Sequence, residues 1–274
     1  MKRLRLKNHE SITGLLFCLP SIVGMVVFFV IPFCIAIRMS FSESIGNASF
    51  IGLKNYITVM KSSAFKLAAL NTFKFDLAAI PLIMVISFII AMLLFRKLHG
   101  SEIFRTIFIF PLVLPTVSVT LFFSTFFPQE MLESSHSFIV LLILYIWKNC
   151  GYNIVLFLAA LNSIPKMYYE AAELDGAGKF TQITKITFPL IVPHTFFITI
   201  ISFVNSFKSF REAFILFGAH PDSSIYMIQH FMNNNFETIN YIRLSVGAIL
   251  IFLVIFALVL VMLLLKKRRG DYEL

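Results

Sequence analysis

The sequence predicts an all-α, polytopic membrane protein with six transmembrane helices in a single domain over residues 1–274, and three observations lead there. Of its 274 residues, 58% are hydrophobic and only 14% charged, whereas an ordinary soluble domain needs about 25% charged residues to face water. Phenylalanine alone supplies 33 residues. Six apolar runs divide the chain, each as long as the stretch of about 20 helical residues that crosses a bilayer core.

The first run, 15–37, carries no charge and follows Lys2, Arg3, Arg5 and Lys7. It is longer than the apolar stretch of a secretory leader, and no small-x-small cleavage signal follows, so it reads as a retained span. The second run, 77–95, is charge-free, with its helix expected to begin near Ala68. The third covers 106–129, and the fourth, 137–161, is apolar apart from Lys148. The fifth and sixth, 186–207 and 244–265, are again without charge. Pro20, Pro32, Pro81, Pro111, Pro115, Pro189 and Pro193 fall in or beside these runs. Lipid tolerates the resulting kinks where neighbouring helices or cavity water satisfy the freed backbone groups. Cys18, Cys34 and Cys150 lie in apolar stretches with no CxxC pair or metal-ligand spacing, and read as buried free thiols.

The formal net charge of +9 does not point to nucleic acid. The lysines and arginines are not gathered on a soluble face with interleaved aromatics. They collect at the ends of the apolar runs, at residues 2–7, 96–105, 166–185 and 266–269, which puts both termini and the intervening even-numbered connections in the cytoplasm. The exception is the first outer loop, which holds Arg38, Lys54, Lys61 and Lys66. Lys74 and Asp76 are placed at the outer end of the second span, where a charged head can snorkel to water.

The connection at 162–188 differs from a plain linker. Pro165 suits the first turn of a helix. Tyr168, Ala171 and Ala172 share one helical face, while Glu170 and Glu173 lie on the other side. Asp175 is followed by Gly176 and Gly178, which allow a sharp turn into a second short helix. Helices that lie on lipid usually carry lysine or arginine on the polar face. Here the polar face is acidic, so a protein partner explains it better.

These residues resemble the EAA signature of binding-protein-dependent ABC importer permeases: Glu170-Ala171-Ala172, then Gly176, Ile186 and a Leu-Pro pair, with Phe188 in the leucine position before Pro189. The carbohydrate branch is resembled along much of the chain. Phe50-Ile51-Gly52-Leu53-Lys54-Asn55-Tyr56 is similar to FxGLxNY; Phe104-Arg105-Thr106, Trp147-Lys148, Gly151, Leu158 to Leu161 and Ile164-Pro165 are family-like. Gly218-Ala219-His220-Pro221 departs from the usual GGGP, in an outer segment that the resemblance turns toward the binding protein. The resemblance implies a type I ABC importer permease fold and a cytoplasmic coupling helix, with Glu170, Ala171, Ala172, Asp175 and Gly176 docking on an ATPase subunit. It implies as partners a second, related permease chain, two ATP-binding subunits and an extracytoplasmic solute-binding protein, in a bacterial-type inner membrane.

No GxxxxGK[ST] loop occurs, so ATP binding and hydrolysis are expected in the partner and no cofactor in this chain. HExxH and GxSxG are missing too, and His9, His99, His136, His194, His220 and His230 have no metal spacing. The candidate solute path is a pair of polar stripes: Tyr145, Lys148, Asn149 and Tyr152 on the fourth span, and Ser202, Asn205, Ser206 and Ser209 on the fifth. Hydroxyls, amides and tyrosine rings suit a polyhydroxylated solute. Hydrogen bonding between helices explains the stripes equally well, at about 0.6 kcal/mol per contact. An ion-driven secondary transporter, with Asp76 and Lys148 as a relay, is the competing function, but it leaves the acidic loop unexplained. A membrane enzyme would need a nucleophile and base that cannot be assembled.

Overall fold

The computed structural model describes residues 14, 16–44, 49–95, 101–132, 134 and 136–270. Lys2 to Lys7, His9, Arg96, Lys97 and His99 lie outside the described residues. In chain order the helices of eight or more residues are α1 (Leu16–Ser40), α2 (Lys54–Lys61), α3 (Ser63–Phe95), α4 (Ser101–Val113) and α5 (Thr116–Ser124). There follow α6 (Ser137–Asn162), α7 (Met167–Leu174), α8 (Lys179–Phe217), α9 (Ile228–Glu237) and α10 (Tyr241–Gly270).

Among the described residues five helices are long and apolar enough to cross a membrane: α1, α3, α6, α8 and α10. The third expected span is instead a broken one, in which Ile103–Val113 and Thr116–Ser124 meet at 98°. Pro115 causes the break. It sits in an extended conformation with ψ 135° and disfavours helix at Leu114 before it.

α1 and α8 share a device. Each contains a wide π turn, Val26–Val30 and Ile183–Thr187, in which Ile31 N–H donates to the Val26 carbonyl and Phe188 N–H to the Ile183 carbonyl. A proline follows at once in both, Pro32 and Pro189. A proline ring collides with the carbonyl four residues back in a regular helix. The wide turn moves that carbonyl aside, so the helix continues through.

The chain divides into two compact units. The first comprises 1–62 and 235–253. There Ser40 Oγ and Tyr56 Oη share a buried hydrogen bond of 2.7 Å, and Asn55 Nδ2 donates to the Ser40 and Ser42 carbonyls at 3.1 and 2.8 Å. The Phe50–Tyr56 motif is thus the tie that fastens α2 to the end of α1. Phe33 meets Phe252 at 4.8 Å between ring centroids. Cys18 and Cys34 are free but exposed on α1 rather than buried, since this helix places none of its described apolar side chains in the buried core of the chain.

The second unit comprises 63–234 and 254–274. α6 runs at its centre and buries Val140, Leu141, Leu144, Ile154, Phe157 and Leu161 against α3, α4 and α8. Since lipid tails are as apolar as these side chains, close fit rather than water exclusion holds the helices. Gly151 shows how close: a Cβ there would lie 1.8 Å from the Phe108 carbonyl oxygen of α4. Cys150, buried as expected, has its sulfur 3.3 Å from Ser87 Oγ.

Candidate functional site

The connection after α6 forms α7, a tight turn, and then α8 without a second separate helix. The turn is closed by Gly176 N–H donating to the Glu173 carbonyl at 3.0 Å and Ala177 N–H to the Ala172 carbonyl at 2.8 Å. This reciprocal pair needs a left-handed residue at its centre, and Gly176 has φ +79°. Gly178, by contrast, is ordinary extended backbone with φ −68° and ψ 164°. Only one of the two turn glycines is required by the geometry.

Tyr169 anchors the helix. Its hydroxyl lies 2.9 Å from Thr187 Oγ1 in the π turn of α8, and its ring packs on the core of the second unit. The sequence directed attention to Tyr168 and passed over its neighbour. Glu170, Ala171 and Asp175 are exposed and Ala172 is half-buried. Met167, Tyr168, Leu174 and Phe180 are exposed around them, Leu174 to 91%. An acidic segment studded with exposed large apolar side chains is the mark of a surface meant to be covered.

The two polar stripes meet across α6 and α8. Tyr145 Oη donates to the Ser202 carbonyl and Asn153 Nδ2 to Ser202 Oγ, both at 2.8 Å. Tyr145 and Ser202 are each 1% exposed. Ser206 is buried and donates to the Phe203 carbonyl at 2.6 Å. Asn149 is half-buried and donates to the Tyr145 carbonyl at 2.9 Å. Tyr152 and Asn205 are also half-buried. Ser209 is buried, with Oγ 3.5 Å from the Asn205 carbonyl.

Lys148 holds Glu212 in a salt bridge and donates to Thr116 Oγ1 at 2.9 Å. It therefore joins α6 to the far end of α8 and to the first residue after the break in the third span. Glu212 was not read from the sequence, because the fifth span was expected to stop at 207. Its signal was the i+3 step from Ser209 continued one turn. Asn153 was missed likewise, four residues beyond Asn149.

Asp76 requires a correction. It does not reach the surface but is buried at 8% exposure, beside Ser206. Lys74, two residues earlier, is exposed. Two helical steps turn a side chain through about 200°, so one member of the pair faces lipid or water and the other the bundle. Asp76 and Ser206 line a small recess with Thr72, Gln229 and the rings of Phe75, Phe207 and Phe210. A second, wider recess of about 600 Å³ lies among Ser124, Phe127, Leu132, Leu216, His220 and Pro221.

Residues 83–270 match the family described as binding-protein-dependent transport system inner membrane component. The probable starch degradation products transport system permease protein AmyD of Thermoanaerobacterium thermosulfurigenes is 30% identical, over 93% of this chain and 94% of its own. The arabinooligosaccharides transport system permease protein AraP of Bacillus subtilis is 26% identical, over 94% and 88%. Among solved structures, a bacterial ABC transporter involved in the import of the acidic polysaccharide alginate superimposes with a TM-score of 0.80. It is 21% identical over 96% of this chain and 99% of the matched one. A complex of bacterial alginate ABC transporter with alginate pentasaccharide-bound periplasmic protein gives a TM-score of 0.82 at 21% identity, over 96% of both chains.

Proposed function

The chain belongs to the binding-protein-dependent transport system inner membrane components, and from that premise we propose that it forms half of the path for a sugar or oligosaccharide. It is a multi-pass inner-membrane permease subunit, not the ATP-hydrolysing one. The carbohydrate reading draws on relatives named for starch degradation products, arabinooligosaccharides and trehalose/maltose. In the working transporter this chain is a single transmembrane domain with both termini cytoplasmic. It pairs with a second, related permease, two ATP-binding subunits and an extracytoplasmic binding protein. ATP stays with the partner subunits and this chain carries no cofactor.

The observation that carries the mechanism is α7: a helix tethered by one tyrosine, ended by a left-handed glycine, and exposing acids and apolar side chains together. ATP-driven closure of the ATPase pair moves α7, and α8 follows because the two are joined through Gly176 and the Tyr169–Thr187 hydrogen bond. Asn149, Tyr152 and Asn205, half-buried on the facing stripes, meet the solute, while Tyr145, Ser202 and Ser206 set their positions. Asp76 adds a buried carboxyl group beside Ser206, able to hydrogen-bond a solute hydroxyl. Lys148, neutralised by Glu212, holds helices together rather than touching the solute. The same pairing takes away the lysine that an ion-driven relay would use.

The whole transporter, reconstituted with its binding protein in proteoliposomes, tests this. Glu170→Lys is expected to abolish uptake of labelled oligosaccharide and the stimulation of ATP hydrolysis by loaded binding protein, with the complex still assembled. Breaking a charge-assisted pairing in a desolvated interface costs about 2–5 kcal/mol. Asn149→Leu is expected to lower uptake while leaving ATPase stimulation in place. Full uptake in both variants would remove α7 and the α6 stripe from the mechanism.

A further inference from the structure

The lysines of the first outer loop take no part in the coupling helix or the polar stripes, yet α2 arranges them in a definite pattern. Leu53, Ile57 and Met60 are 62%, 53% and 54% exposed, and fall at i, i+4 and i+7 on one stripe. Lys54 and Lys61, both exposed, flank that stripe on one side with Thr58 beyond them. Tyr56 and Val59, on the other flank, are buried. Phe50, at the entry to the helix, is 77% exposed. The helix therefore has one face held by protein, one bare apolar face, and a basic edge between the bare face and water.

Its depth is set by α1. The Ser40–Tyr56 and Asn55–Ser40 hydrogen bonds fix α2 to the last residue of a membrane-crossing helix. The Phe41 and Tyr56 rings pack at 5.2 Å between centroids. Ser62, extended at ψ 129°, separates α2 from the next span. The segment is thus held where a span leaves the hydrocarbon.

We infer that α2 is docked on the bilayer surface, with Leu53, Ile57 and Met60 among the acyl chains and Lys54 and Lys61 on the phosphates of anionic phospholipid. An apolar stripe edged by lysine is the pattern of helices that lie in the membrane interface, and long lysine stems cross the apolar layer to reach the headgroups. Lysine is depleted where proteins bind one another, so a protein partner fits this surface poorly. α7 makes the contrast within one chain: its flank is acidic, and anionic lipid would repel it.

The test uses the assembled transporter in nanodiscs of phosphatidylglycerol and phosphatidylcholine, with Cys18, Cys34 and Cys150 replaced by serine. Spin labels are placed one at a time at Ile57→Cys, Met60→Cys and Thr58→Cys. The labels at 57 and 60 are expected to relax with oxygen dissolved in lipid and to be shielded from a water-soluble nickel chelate, and the label at 58 the reverse. Nickel access at 57 and 60, or shielding of both from either reagent, overturns the lipid contact; the second outcome means that protein covers the face. Phosphatidylglycerol retained by the purified complex, counted by native mass spectrometry, reads the basic edge. Lys54→Gln and Lys61→Gln are each expected to weaken its retention about fivefold, and Lys→Arg at both positions to preserve it. Unchanged retention in the glutamine variants overturns the headgroup contact.

Discussion

A methyl group at Gly151 would overlap the Phe108 carbonyl, at 1.8 Å from its oxygen and 2.4 Å from its carbon. Both atoms belong to a helix backbone and cannot swing aside as a side chain would. Overpacking of a core typically costs about 1–3 kcal/mol, and here α4 must leave α6. Gly151→Ala is expected to lower the yield of monodisperse transporter and its melting temperature; unchanged melting would mean that the two helices are less closely seated. Lys148 and Glu212 give a second prediction at this scale. Their side chains are 12% and 8% exposed, so removing one leaves the other charged and unpaired away from water. Lys148→Met is expected to cost about 3–5 kcal/mol. The exchanged pair, Lys148→Glu with Glu212→Lys, should recover much of that in thermal unfolding of the purified complex. Recovery would mark the contact as a pairing of charges, whereas equal destabilisation in the exchange would tie Lys148 to a geometry of its own.

Among the elements, the turn after α7 separates two glycines that look alike in sequence. Gly176→Ala forces a side chain into the left-handed region at about 1–2 kcal/mol, while Gly178→Ala asks nothing unusual of its backbone. Transport and ATPase stimulation are expected to fall in the first and persist in the second. α9 responds to pH through His230, which is fully buried. Its Nδ1 accepts the Met227 N–H at 3.2 Å, so the neutral ring carries its proton on Nε2, which is buried without a partner. Burial pushes its pKa from 6.5 down to about 4. Between those values the unfolded segment binds a proton that the folded one refuses, so stability falls as the pH drops. Amide exchange in α9, corrected for intrinsic rate, should show less protection at about pH 5 than at about pH 7. His230→Gln should flatten that difference. Charge-free runs revealed where spans lie, because hydrocarbon excludes charge whatever the fold. They could not reveal that α8 runs on from Lys179 to Phe217, with a single turn residue at Ser209, since Glu212 enters the bundle only by meeting a lysine from another helix. The stripes on α6 and α8 were legible as spacing, and their partners were not, because i+3 and i+4 steps fix a face but not what it meets.

For the whole chain, the topology makes a single demand. A cysteine at Glu130 is expected to react with an impermeant maleimide from outside intact cells, and one at Lys179 only after the membrane is opened. Labelling at Lys179 from outside would invert the chain and sever α7 from any cytoplasmic ATPase. One feature of the second unit then acquires a mechanical meaning. α8 contains 39 residues, and at about 1.5 Å each it is a strut of about 58 Å. One end begins at the turn below α7 and the other carries Glu212. A strut that tilts by about 10° around its midpoint moves each tip by about 5 Å, so a small push beside Gly176 becomes a stroke of side-chain size at the opposite end. The prolines and the wide turn all lie in its first half, between Ile183 and Pro193. Compliance is therefore gathered near the pushed end, and the uninterrupted helix from Pro193 to Lys208 carries the stroke to the turn at Ser209, beside Glu212.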